Sequence, residues 1–200
     1  MPPAAKVVCW IFASAIAVVP LGVAAASPLQ ASRDLMWIVG GMAGVAGLSL
    51  LFFQPVLITG LSPSSQARRW HRWIGLAVLL LVLLHVLGLY LTSPEDITDA
   101  LLLVSPTPFA VYGVMGLISV LLTACLAAFR KRLSRRTWQI AHMFLAAIIV
   151  VGSIVHALLI EGVMGDTSKL ILCVFLALAT IGALLRTARS VWQTGKTLER

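Results

Sequence analysis

The stretch His71-Arg-Trp-Ile-Gly-Leu-Ala-Val-Leu-Leu-Leu-Val-Leu-Leu-His85 decides how the chain is read, because His142-Met-Phe-Leu-Ala-Ala-Ile-Ile-Val-Val-Gly-Ser-Ile-Val-His156 repeats its design. In each, two histidines stand fourteen residues apart with almost only apolar side chains between them, and these four are all the histidines in the chain. On an α-helix, fourteen residues turn through roughly 1400°, about 40° short of four full turns, and rise about 21 Å. Both imidazoles of a pair therefore leave the helix from one face. Their two depths together cover most of a hydrocarbon core about 30 Å thick.

The rest of the sequence calls for such a core. Hydrophobic residues make up 60% of the chain and charged residues 11%, too little polar surface to cover so apolar an interior in water. Uncharged apolar runs long enough to span a bilayer occur at about 7–26, 36–60, 73–92, 109–129, 138–160 and 170–185. The expectation is an all-α, polytopic membrane protein: one six-helix bundle over residues 1–200, with short connections and no room for a second domain.

The charges orient it. With the N-terminus in the cytoplasm, 13 of the 15 lysines and arginines fall inside, leaving Arg33 and Lys169 outside. Six of the seven acids, Asp34, Glu95, Asp96, Asp99, Glu161 and Asp166, fall outside. The positive-inside rule then places both termini in the cytoplasm, for a multi-pass protein of the inner or plasma membrane. The net charge of +8 reads as topology and headgroup contact rather than nucleic-acid binding.

Other features refine the bundle. Lys6, the apolar run and Ala24-Ala25-Ala26 resemble a signal peptide, but the run is long for one, and a retained first helix kinked at Pro20 is expected. The second helix is rich in small residues, and Gly40-x-x-x-Gly44 is a pattern of closely packed membrane helices, with space for a macrocycle as the lesser reading. Pro55 and then Pro63 are expected to close it, leading into a turn at 62–66. The acidic segment 93–99 reads as an outer turn and 100–104 as a short interfacial helix. Gly113 and Gly116 on the fourth helix again suggest close contact with a neighbour. Cys9, Cys125 and Cys173 lie singly in different apolar runs, so a redox pair, a zinc knuckle and covalent haem attachment are all unsupported; they read as packing residues.

The histidine helices are the third and fifth spans and run in the same direction. Topology therefore pairs His71 with His142 near the inner end and His85 with His156 in the outer half. Intramembrane histidines can hydrogen-bond across helices or relay protons. Zinc fits less well, because two imidazoles per level leave half a tetrahedral site empty. Two six-coordinate b-type haems, one per level, need only these four axial ligands, and with both axial positions filled their chemistry is outer-sphere transfer of single electrons.

The order of segments, with His71-x13-His85, a histidine-free helix and then His142-x13-His156, resembles the transmembrane domain of the ferric reductase and NADPH oxidase superfamily over essentially the whole chain. The resemblance implies a bundle in which the four histidines ligate two b haems that pass electrons outward. Large members of that superfamily add a cytoplasmic flavin and nicotinamide domain after the sixth helix. The tail 187–200 is too short for one, and no Gly-rich nucleotide fingerprint occurs, so the sequence does not support a bound flavin. The expected partners are a separate donor, flavoprotein or quinol, and an outer acceptor such as a ferric chelate, oxygen or a soluble redox protein. Arg68, Arg69 and Arg72, beside His71, suit haem propionates as well as topology. The segments 133–142, 68–70 and 84–85 also look like those of the quinol-linked, haem-binding membrane subunit of a periplasmic methionine-sulfoxide reductase system. His71 extends the pattern beyond the single third-helix histidine expected there. The reading from another class is a haem-free transporter or assembly factor whose histidines relay protons.

Overall fold

The computed structural model describes residues 2–58 and 64–198, with side chains described over 2–58 and 65–189. In chain order the α-helices are α1 (Pro3–Ala25), α2 (Leu35–Ile58), α3 (Ser64–Thr92), α4 (Pro94–Leu101), α5 (Pro108–Ala128), α6 (Arg135–Leu159) and α7 (Asp166–Leu198). All but α4 are long and apolar enough to cross a membrane, which gives six spans. No strand occurs among the described residues. A bilayer core offers no water to bond a free N–H or C=O, so each span must satisfy its backbone within itself.

The helices outrun the apolar runs that signal them. α3 begins at Ser64 rather than near residue 73, and α7 runs from Asp166 to Leu198 rather than from 170 to 185. Hydropathy detects the part of a helix that lies in lipid, whereas Gln, Ala and Arg continue the same helix into water at little cost. The added turns of α3 put Arg68, Arg69, Trp70 and His71 on helix, near its inner end. Pro55 does not close α2 but lies buried inside it; membrane helices accommodate an internal proline by local adjustment of the freed carbonyl. Pro63 and Gly60 lie outside the described residues.

The outer connection also differs from the sequence reading. The short helix is Pro94–Leu101, formed by the acidic segment itself, not by 100–104. Pro94 sits in its first turn, where no N–H is needed, and Glu95 and Asp96 lie at the positive end of the helix dipole. The helix ends at Leu101; just beyond it Leu103 takes a left-handed φ of 60°, and Val104 and Ser105 both donate to the Asp99 carbonyl at 2.9 and 3.1 Å.

The core centres on α1, α2 and α7, with Val78 of α3, Val120 of α5 and Ile149 and Val150 of α6 joining it. Ala13, Ile16, Ala17 and Ala24 of α1 pack with Val45, Leu48, Leu51 and Phe52 of α2 and with Leu172, Cys173 and Leu176 of α7. The lone cysteines carry no disulfide, and Cys173 is a buried packing residue. Lys169, at the outer end of α7, is buried and donates to the Ile160 carbonyl at 2.7 Å, tying the start of α7 to the end of α6. Its ion pair with the almost fully exposed Asp166 adds little beside that bond.

The other helices attach as two antiparallel pairs. α3 packs along α2 and α6 along α5, while α3 and α6 make no extended contact with each other. They are also the least buried spans, 11% and 17% of their central residues against 39% for α2. The α2–α3 contact is backbone on backbone: a Cβ on Gly88 would lie 2.7 Å from the Gly40 Cα and 2.9 Å from the Met36 carbonyl oxygen. Neither atom can swing aside as a side chain would. Gly88→Val is therefore expected to separate the pair and cost at least about 3 kcal/mol, the upper range for overpacking. Thermal unfolding in detergent measures it; an unchanged midpoint would contradict this close contact.

Candidate functional site

α3 and α6 approach one another through their histidines. The His71 and His142 rings have centroids 6.0 Å apart with planes at 75°. The His85 and His156 rings are 6.3 Å apart at 82°. All four are partly buried. The two levels follow from fourteen-residue spacing on helices that run the same way.

The outer level is held by a device used twice. His85 Nδ1 donates to the Gly40 carbonyl at 2.8 Å, and His156 Nδ1 donates to the Phe109 carbonyl at 2.9 Å. A carbonyl only accepts, so the proton resides on Nδ1 and the Nε2 lone pair is left for another partner. Four residues after each acceptor comes a glycine. A Cβ on Gly44 would lie 2.7 Å from His85 Nδ1, and one on Gly113 would lie 2.7 Å from His156 Nδ1. In both helix pairs, therefore, the helix before the histidine offers a carbonyl and removes the side chain that would bar the ring from it. Phe109 also meets the His156 ring edge to face at 5.8 Å.

The inner level is less uniform. His71 Nδ1 donates to the Gln54 carbonyl at 3.3 Å, and the Gln54 side-chain amide donates back to the His71 carbonyl at 3.1 Å. His142 Nδ1 is buried without a partner among the described residues. Its ring instead lies against Trp138, centroids 5.3 Å apart and planes 8° from parallel. The Arg130 guanidinium covers Trp138 at 5.1 Å. The first turn that carries Trp138 is fixed by Ser134, whose hydroxyl caps α6 by accepting from the Thr137 N–H at 3.0 Å.

Arg68, Arg69 and Arg72 are exposed in the turn around His71, at the level of the inner pair. Sequence reasoning singled out the histidines but not Gln54, Trp138 as a stacking partner, or the two carbonyls. Gln54 had a signal, being an amide in an otherwise apolar span. The carbonyls had none of their own, since every residue carries one.

Each level thus brings two imidazoles together from α3 and α6. No group of three or more His, Cys, Asp or Glu residues placed to hold a metal by themselves occurs among the described residues. A family model described as a ferric reductase like transmembrane component matches residues 39–153, from α2 into the outer half of α6. It takes in His71, His85 and His142 and stops three residues before His156. No curated protein and no solved structure gives a significant match.

Proposed function

The chain belongs to the ferric reductase-like transmembrane family, a family of membrane redox components, and from that membership we propose that it conducts electrons across the bilayer through two b-type haems. His71 and His142 would hold the inner haem, and His85 and His156 the outer one. The observation that carries this reading is the separation within the pairs, 6.0 and 6.3 Å. With a metal–imidazole bond of about 2 Å and a ring centre about 1 Å behind its nitrogen, two rings on opposite sides of one ion stand about 6 Å apart. A macrocycle supplies the other four nitrogens, which is why two imidazoles per level suffice.

Bound there, b-type haem supplies one-electron, outer-sphere exchange. The protein's part is placement. The carbonyls of Gly40, Phe109 and Gln54 keep three imidazoles in the tautomer that leaves Nε2 free to ligate. With an imidazole from each of α3 and α6 at each level, His71 with His142 and His85 with His156 would leave no position on the metal for oxygen or substrate. Arg68, Arg69 and Arg72 present cations to the carboxylates of the inner group. Electrons enter from a flavoprotein or quinol on the cytoplasmic side or in the bilayer. They leave to an outer acceptor such as a ferric chelate, oxygen or a soluble redox protein. The inside-to-outside sense rests on the charge distribution and on the usual direction in the family.

Purified protein from haem-sufficient cells is expected to give about two haems per chain by pyridine haemochrome. Its reduced spectrum should scarcely respond to carbon monoxide. Near-perpendicular imidazole planes at both levels should give strongly anisotropic low-spin EPR signals. Absence of haem would favour the proton-relay reading, and one haem per chain would leave a single level, as in the quinol-linked subunit.

A further inference from the structure

Three of the four imidazoles are turned by a backbone carbonyl and the fourth is not. On α2 the acceptor for the inner histidine, Gln54, lies fourteen residues beyond the acceptor for the outer one, Gly40. The same step on α5, from Phe109, arrives at Thr123. Its hydroxyl turns back to the Ser119 carbonyl at 2.8 Å, and His142 Nδ1 finds no acceptor among the described residues. In that bond's place stands the indole of Trp138, one helical turn earlier on α6 and nearly parallel to the His142 ring. Arg130, from the turn Arg130–Arg132 that precedes α6, places its guanidinium over the Trp138 ring at 5.1 Å.

We infer that Trp138, covered by Arg130, is the positioning residue of His142 and fixes by ring stacking the ring plane that carbonyls fix for the other three histidines. The inference rests on the reading of the histidines as haem ligands. An Nδ1–H bond to a carbonyl fixes the plane of an imidazole, fixes its tautomer and raises its basicity as a ligand. A parallel indole fixes the plane alone. The guanidinium keeps the indole in place, since a planar cation stacks well on an aromatic face. The inner level therefore has one ligand that is well aimed but less basic, and it is the level from which a ligand is more readily displaced.

The test uses the haem-loaded full chain with Trp138→Leu, Trp138→Phe and Arg130→Gln, and reads haem per chain, low-spin EPR and the carbon monoxide difference spectrum. Inner signals are assigned in a His85→Ala background. W138L is expected to weaken haem binding at the inner level about 10- to 100-fold, the usual effect of losing a group that orients a metal ligand. Residual inner haem should become carbon monoxide-reactive while the outer signal persists. W138F, which retains a flat ring, should restore most of the wild-type signature, with R130Q falling between. If W138L left inner EPR, haem content and carbon monoxide response unchanged, the inference would be overturned and the haem reading would stand. Loss of both levels in W138L and W138F alike would also overturn it, since the stack would then support the bundle rather than one ring. A wild-type chain without haem would overturn both readings.

Discussion

Replacing His85 or His156 with Ala is expected to lower haem content from two per chain to one and to reduce electron flow across the bilayer to background. On the two-haem reading each imidazole would be one of the two protein ligands at its level, so neither variant retains a complete outer pair. The inner pair lies four helical turns away, about 21 Å along α3, and shares no hydrogen-bond acceptor with the outer pair. Its haem and low-spin signal should survive. Gly44→Ala and Gly113→Ala should give milder versions of the same result. Each introduces a methyl 2.7 Å from the Nδ1 of an outer histidine, which must then leave its carbonyl, at a typical 10- to 100-fold loss in metal affinity. Haemochrome assay and EPR of the four variants check this. Loss of the inner haem in His85→Ala, or full outer occupancy in Gly113→Ala, would contradict the independence of the two levels.

The sequence made the spans and the four histidines legible because both depend on coarse periodicities. An apolar run registers wherever lipid must be met, and a fourteen-residue interval returns to one face of a helix whatever lies between. Pairing followed from direction, since a single span, α5, lies between α3 and α6 in chain order and the two therefore run the same way. What escaped was set by particular contacts. The helical start of α3 at Ser64 lies in water, where hydropathy is silent. The acidic outer segment became a helix because Pro94, Glu95 and Asp96 suit an N-terminus, a signal outweighed by its look of a polar turn. Gly44 and Gly113 were visible as small residues, but their task of admitting an imidazole to the carbonyl one turn earlier needs the register between two helices, which a single sequence does not supply. The asymmetry of the inner level was hidden for the same reason: Gln54 and Thr123 become counterparts only once Gly40 and Phe109 are seen to do the same work.

Electrons are expected to cross sealed vesicles in one sense, from a reductant on the face bearing Arg68, Arg69 and Arg72 to an impermeant acceptor on the face bearing Glu95, Asp96 and Asp99. By sequence, 13 of the 15 lysines and arginines belong to the segments on that side, which under the positive-inside rule would make that face cytoplasmic. The inner pair lies at this end, with Trp138 and Arg130 beside it, so a donor arriving from the cytoplasm or within the inner leaflet meets the His71 level first. The outer pair is tied by hydrogen bonds to Gly40 and Phe109, near the outer ends of α2 and α5, and on the conduit reading would deliver to the opposite side. If the histidine pairs hold haem as proposed, no open position would be left at the metal, and the rate should follow the driving force between donor and acceptor rather than acceptor structure. Vesicles of known orientation, with reduced flavin or quinol offered on one side and ferric chelate on the other, measure this directly. Flow that requires haem and disappears in His156→Ala is the expected outcome. No haem-dependent flow with any donor would remove the conduit reading, and strong carbon monoxide binding by undamaged protein would mean that at least one of the two histidine pairs does not ligate as proposed.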